Sequence, residues 1–160
     1  GSFGACLMKE PELVASCVES MIDASDIPVS VKSRIGIDDM ETYSQLSDFV
    51  SRIHEKGCQH FIIHARKAWL QGLSPKENRT IPPLNYAWVY KLKKDFSQLK
   101  ITLNGGVTEC NEVIEHLDYV DGVMLGRAIY HQPYLLADID RKIFGKGVER
   151  VDFSRVLASS

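Results

Sequence analysis

FIIHARKAWLQGLSPKENR, residues 61–79, changes character partway along: an apolar run gives way at His64 and Arg66 to a loop of cations around one indole, Trp69, and a helix-breaking Pro75. Its first residues read as a strand, with Ile62, His64 and Arg66 on one face and Ile63 and Ala65 on the other. Chemistry set where a strand ends is the pattern of parallel α/β sheets, whose sites form beyond the C-terminal ends of the strands.

Working outward, the apolar positions Tyr43, Leu46, Phe49, Val50 and Ile53 recur at helical spacing over residues 41–56, and Gly57 stands where a C-cap is expected. Asp38, Asp39 and Glu41 read as a cap region. Residues 27–34, IPVSVKSR, read as a strand with Val29 and Val31 on one face and Ser30, Lys32 and Arg34 on the other; Gly36 ends it. An earlier helix is expected from Glu10 and Pro11 to about Ser25, with Leu13, Val14, Cys17, Val18, Met21 and Ile22 sharing a face.

Downstream, residues 84–96 look helical through Trp88, Val89 and Leu92, with Lys91, Lys93 and Lys94 on the exposed side. Residues 99–103 form a third strand that ends in Asn104, Gly105 and Gly106. Thr108 can cap a helix carrying Val113, Ile114 and Leu117. A fourth strand, DGVML at 121–125, ends in Gly126 and Arg127; a short turn over 128–131 then precedes a helix through Leu135, Leu136, Ile139 and Ile143 to Gly145.

Strand and helix thus alternate four times, which predicts an α/β fold with right-handed parallel crossovers. The expectation is a (β/α) TIM-barrel fragment of about four parallel βα units. A doubly wound sheet competes, but its G-x-G-x-x-G fingerprint is absent. Residues 146–160 read as a hinge and the beginning of a helix with too little chain left to pack.

With 160 residues and 44% hydrophobic content, one domain or part of a larger one is expected; the opening GSFGACLM reads as an expression scar or a piece of something longer. A net charge of −2 excludes a global basic field, so any nucleic acid has to meet a local patch. The four cysteines have no C-x-x-C pairing and read as buried thiols of a reducing cytosol, with no metal site. No apolar run approaches the roughly 20 residues of a membrane span, and no signal peptide is apparent, so a soluble cytoplasmic protein is expected.

Four sets of residues carry candidate chemistry. Asn104-Gly105-Gly106 and Gly126-Arg127, at matching strand ends, have the makeup of paired loops that grip a phosphate. Lys32 is either a surface edge residue or a cation beside the N1/O2 edge of a flavin, where it would stabilise the anionic reduced ring. His64 is either a satisfied core residue or a ligand contact. Arg66, Lys67, Trp69, Lys76 and Arg79 form either a solvated loop or a surface that meets RNA phosphates and stacks on an unpaired base.

In order and spacing, FGACLM, VSVKSRIGIDD, FIIHARKAWLQGLSPKENR, LNGGV and DGVMLGRAIY resemble the tRNA-dihydrouridine synthases, in particular their A-type bacterial subfamily, over about residues 1–145. The resemblance implies an FMN-containing TIM barrel followed by a small helical domain that clamps tRNA. In that family NADPH reduces the flavin, a D-loop uridine is reduced at the barrel mouth, and a Cys thiol supplies a proton. By motif, Lys32 and His64 match FMN contacts, and Asn104, Gly105, Gly106, Gly126 and Arg127 match the grip on the FMN phosphate. Lys76 and Arg79 match tRNA contacts, and Arg66 a partner for the uracil or its phosphate.

The N-x-G-C-P-S motif that carries the family's catalytic Cys is absent, so no catalytic residue is expected in this chain. Residues 1–145 then correspond to the C-terminal half of the barrel, strands five to eight, and 146–160 to the start of the helical tRNA-binding domain. The parent should be an active oxidoreductase, while the piece alone should lack uridine reduction and self-associate through its open sheet edges. Two alternatives are another FMN barrel, of the dihydroorotate-dehydrogenase kind, and a non-catalytic tRNA-binding fragment.

Overall fold

Strands β1 (Ser30–Arg34), β2 (His60–His64), β3 (Lys100–Asn104) and β4 (Gly122–Met124) lie side by side in chain order, and every neighbouring pair is parallel. The computed structural model describes residues 4–40 and 42–145; the hinge and helix expected over 146–160 lie outside them. Parallel neighbours need crossovers, supplied here by α2 (Tyr43–Glu55), α3 (Tyr86–Asp95) and α4 (Cys110–Leu117). Helix α1 (Pro11–Asp23) precedes the sheet, and α5 (Arg127–His131) and α6 (Leu135–Lys142) follow it. The result is four successive βα units of a (β/α) barrel, as the alternation of patterns required.

Strand alternation places the core. Phe61, Ile63, Ile101 and Leu103 point at the helices and are fully buried, against Leu46, Val50 and Ile53 of α2 and Val89 and Leu92 of α3. The opposite face, with Ile62 and His64 of β2 and Asn104 of β3, is half-covered. A smaller cluster of Cys110, Leu135 and Ile139 ties α6 to α4.

Several local expectations are corrected. Helix α1 turns Val14, Ala15, Val18 and Ile22 inward and leaves Leu13, Cys17 and Met21 exposed, because its apolar arc is broader than the surface it meets. Cys58 and Cys110 are buried, but Cys17 is exposed and Cys6 half-buried. Ile114 and Leu136 are also exposed.

Thr42, rather than the acidic run before it, opens α2: its N–H donates to Gln45 Oε1 at 3.1 Å. Asp38 instead accepts from the Leu70 N–H at 2.7 Å. Helix α4 is capped at Glu109, with Glu112 Oε2 accepting from the N–H groups of Thr108 and Glu109 at 2.7 and 2.9 Å. Lys93 is no surface cation, since it donates to the Ser97 and Leu99 carbonyls and pairs with Asp121 at 3.0 Å.

Candidate functional site

The strand register sets the floor of the site. Arg34 stands beside His64, His64 beside Asn104, and Asn104 beside Met124, so one row across the sheet collects the last residues of all four strands. A cavity of about 610 Å³ opens over that row, within the usual range for a small-ligand site. Lys32, Arg79, Gly105, Gly106, Gly126 and Arg127 complete the part of the lining that carries chemistry.

Lys32, Arg34, Arg79 and Arg127 bring four cations to the lining, and no Asp or Glu joins them among the described residues. Burial, reinforced by Arg34, Lys32, Arg66 and Arg127, lowers the pKa of His64 to about 3, so its imidazole is neutral at physiological pH. Lys32 is shifted down by burial and then by Arg34, and Arg34 by burial and then by Arg79 and Arg66. An uncompensated positive cluster of this kind is built for an anion.

Each glycine turn is shaped by its neighbours. At Gly105 the backbone has φ +111°, and an added Cβ would lie 2.5 Å from His64 Cδ2. At Gly106, φ is +76° and a Cβ would meet Leu84 Cδ1 at 2.6 Å and the Tyr86 hydroxyl at 2.7 Å. The Tyr86 hydroxyl also donates to the Gly105 carbonyl at 2.7 Å, fixing the turn. Gly126 differs, for a Cβ there meets nothing within 4 Å; its missing side chain leaves the cavity wall open. The Asn104 side chain is committed, donating to the Met124 carbonyl at 2.8 Å and bracing β3 against β4.

The loop after β2 is tied to the loop after β1. Ile37 bridges to Ala68, the Asp38 N–H donates to the Ala68 carbonyl at 2.9 Å, and the Ala68 N–H to that of Gly36 at 3.0 Å. Its hub is Asn78, a buried polar residue. The Asn78 side chain accepts from the Trp69 N–H and donates to the Trp69 carbonyl, both at 2.8 Å. Arg34 Nη1 donates to the Asn78 carbonyl at 2.7 Å, and Arg127 Nη2 to that of Arg79 at 3.2 Å.

Lys32, His64, Asn104, Gly105, Gly106, Gly126 and Arg127 therefore meet around one cavity, and Arg79, expected to face RNA, also lines its rim. Lys76 is exposed outside the lining. Arg66 is half-buried and likewise outside it; its Nη1 donates to the Pro82 carbonyl, and its buried Nε has no acceptor among the described residues. Trp69 is exposed at the loop surface.

Four contributors were not singled out from the sequence. Arg34 was detectable, two positions beyond Lys32 on the same strand face. His131 and Gln132, which also line the cavity, are the last residue and the C-cap of α5, a helix too short to show periodicity. Asn78 is a lone amide in a polar run and gave no signal of its burial.

The dihydrouridine synthase (Dus) family profile matches residues 1–159. The tRNA-dihydrouridine(20/20a) synthase of Vibrio vulnificus is 62% identical over 146 residues, which cover 91% of this chain and 45% of that protein. The protein of the same name from Synechocystis is 60% identical, with 91% and 44% covered, and that from Salmonella typhi 55% identical, with 95% and 46% covered. The chain thus spans a little under half the length of these relatives. Among solved structures, a single-residue variant of mandelate oxidase with benzoyl-formic acid aligns with a TM-score of 0.54 at 13% identity, covering 91% of this chain and 54% of the other, a likeness of fold.

Proposed function

The chain belongs to the dihydrouridine synthase family, and on that premise we propose that it supplies the FMN-holding and tRNA-facing part of a flavin-dependent synthase that reduces tRNA uridine with NADPH. The observation that carries this reading is the lining of the cavity, which joins four cations to open glycine backbone and, among the described residues, contains no carboxylate. A dianionic phosphate fits such a lining, and Gly126 puts backbone without a side chain in the cavity wall.

In this reading Arg127, with the main chain at Gly105, Gly106 and Gly126, holds the FMN phosphate. Asn104 contributes by bracing the two strand ends rather than as a free amide. His64, neutral because of burial and its cationic neighbours, offers the isoalloxazine a hydrogen-bonding group without charge. Lys32 lends positive charge beside the ring. When bound, the flavin supplies hydride chemistry, and the chain's own residues bind, orient and balance charge. Arg66, whose Nε is orphaned among the described residues, is assigned to the uracil or its phosphate. Lys76 and Arg79 are assigned to the tRNA backbone. The proton-donating Cys is assigned to the N-x-G-C-P-S motif, outside this sequence.

Titration of the protein with FMN and with riboflavin, followed by flavin fluorescence, tests the reading. FMN should bind at least about tenfold more tightly, because only it carries the phosphate. Equal affinities would refute the phosphate grip. Replacing Lys76 and Arg79 together by Ala should lower affinity for a tRNA transcript and flatten its salt dependence by about two phosphate contacts. Unchanged affinity would remove those residues from the RNA surface. Each of β1 and β4 has one strand neighbour among the described residues, so self-association of the chain is proposed as well, and a strictly monomeric sedimentation profile would refute it.

A further inference from the structure

Two cations of the cavity carry a second task that lining it does not explain. Arg34 comes from the end of β1 and Arg127 from the start of α5, on opposite flanks of the β2–β3 pair. Both reach the same turn, Glu77–Arg79, where Arg34 Nη1 donates to the Asn78 carbonyl at 2.7 Å and Arg127 Nη2 to the Arg79 carbonyl at 3.2 Å. Arg34 Nη1 also reaches the Lys67 carbonyl at 3.3 Å, at the other end of the loop. A guanidinium presents five N–H groups in a rigid fork, so one edge can hold a carbonyl while another meets an anion.

Resting on the reading above, we infer that Arg34 and Arg127 are positioning residues that couple the cavity to the loop, so that an anion bound in the cavity orders the 77–79 turn and presets Lys76 and Arg79 for RNA. The electrostatics give the direction. Arg34, Arg66, Arg79 and Arg127 crowd like charges together around the turn, a repulsion that works against the bonds Arg34 and Arg127 make to its carbonyls. An anion between Arg34 and Arg127 removes that repulsion and fixes both guanidiniums in place. By linkage the effect is reciprocal, and bound tRNA tightens the cavity's hold on its ligand by the same factor.

Amide hydrogen exchange over residues 67–81, with and without saturating FMN, reads the coupling directly. The N–H groups of Arg79, Thr80 and Ile81 close the turn onto Lys76 and Glu77, and FMN should slow their exchange at least about fivefold. Affinity for a tRNA transcript should rise by a similar factor with FMN, whereas riboflavin, which lacks the phosphate, should produce neither effect. Arg34→Lys and Arg127→Lys keep the charge and lose the fork. At FMN concentrations that saturate each variant they should lose the FMN-dependent part of the protection, whereas a purely structural role would lower protection equally in both states. FMN that binds while exchange in the turn is unchanged or faster overturns the inference and leaves the flavin reading standing. Failure of FMN to bind at all overturns the flavin reading and the inference with it. The wild-type comparison decides the matter even if neither variant folds.

Discussion

The two sides of the cavity are held by different physics. On the β1–β2 side the 66–79 loop is fastened by polar bonds: Asn78 grips Trp69 from both directions, and Arg34 holds the Asn78 carbonyl. On the β3 side the Gly105–Gly106 turn is fastened chiefly by shape, with His64, Leu84 and Tyr86 packed where side chains would otherwise be. Polar bonds can be lost one at a time, so the loop should respond in graded steps. A steric fit either accommodates an atom or forces the backbone to move, so the glycine side should respond abruptly.

Gly105→Ala should have the largest effect. The new methyl needs a backbone at φ +111° and space already taken by the His64 ring, which cannot swing away as the tip of a long side chain can. Left-handed strain and overpacking together should cost about 3 kcal/mol, read as a shift of the urea midpoint. A loss below about 1 kcal/mol would mean that the turn relaxes and that the contrast between the two sides is wrong.

Asn78→Ala comes next, at about 2 kcal/mol, since the Trp69 N–H and carbonyl both lose their side-chain partner. The loss should appear locally, as faster amide exchange and proteolytic nicking within 66–80, while the sheet core keeps its protection. Uniform loss of protection across β2 and β3 would show that the loop and the sheet unfold as one unit.

How much of this was legible beforehand follows the same division. Period-2 and period-3.6 patterns placed all four strands to within a few residues, because Phe61, Ile63, Ile101 and Leu103 have to face the helices. Strand-end chemistry likewise marked Lys32, His64 and the glycine pairs, which the parallel register gathers in one place. Asn78 and the second task of Arg34 depend on where a long loop folds back, and no short-range pattern encodes that. The outward turn of Leu13, Cys17 and Met21 was hidden because amphipathicity reports an apolar arc, whereas burial depends on what packs against it.

A pH series probes the contact between the two sides, where His64 of the β2 end packs on Gly105. In the native state burial first, and then Arg34 and Lys32 from β1, Arg66 from the loop and Arg127 from α5, hold its pKa at about 3. In the unfolded chain it titrates at about 6.5. Between those values the unfolded state binds a proton that the native state does not, so stability falls as pH drops through this window. Stability measured from about pH 7 to about pH 4 should therefore fall more steeply in the wild type than in His64→Gln, and the two slopes should coincide above about pH 7. Parallel slopes throughout would mean that His64 protonates in the folded protein.

Gly126→Ala should have the smallest effect on stability and sharpens the comparison most. A Cβ there meets nothing within 4 Å, so overpacking does not apply. The loss of stability should stay within about 1 kcal/mol, below that of Gly105→Ala and Asn78→Ala. Yet the methyl would stand in the wall of the cavity, where the phosphate is proposed to approach the backbone, and FMN affinity should fall about tenfold while riboflavin affinity changes little. Gly105→Ala and Gly126→Ala would then separate two uses of glycine in one site, the first making room for a neighbour in the protein and the second for a ligand. If Gly126→Ala instead destabilised the protein and left FMN binding intact, the open wall at Gly126 would be a feature of the fold alone and the phosphate grip would have to rest on Arg127 and the Gly105–Gly106 turn.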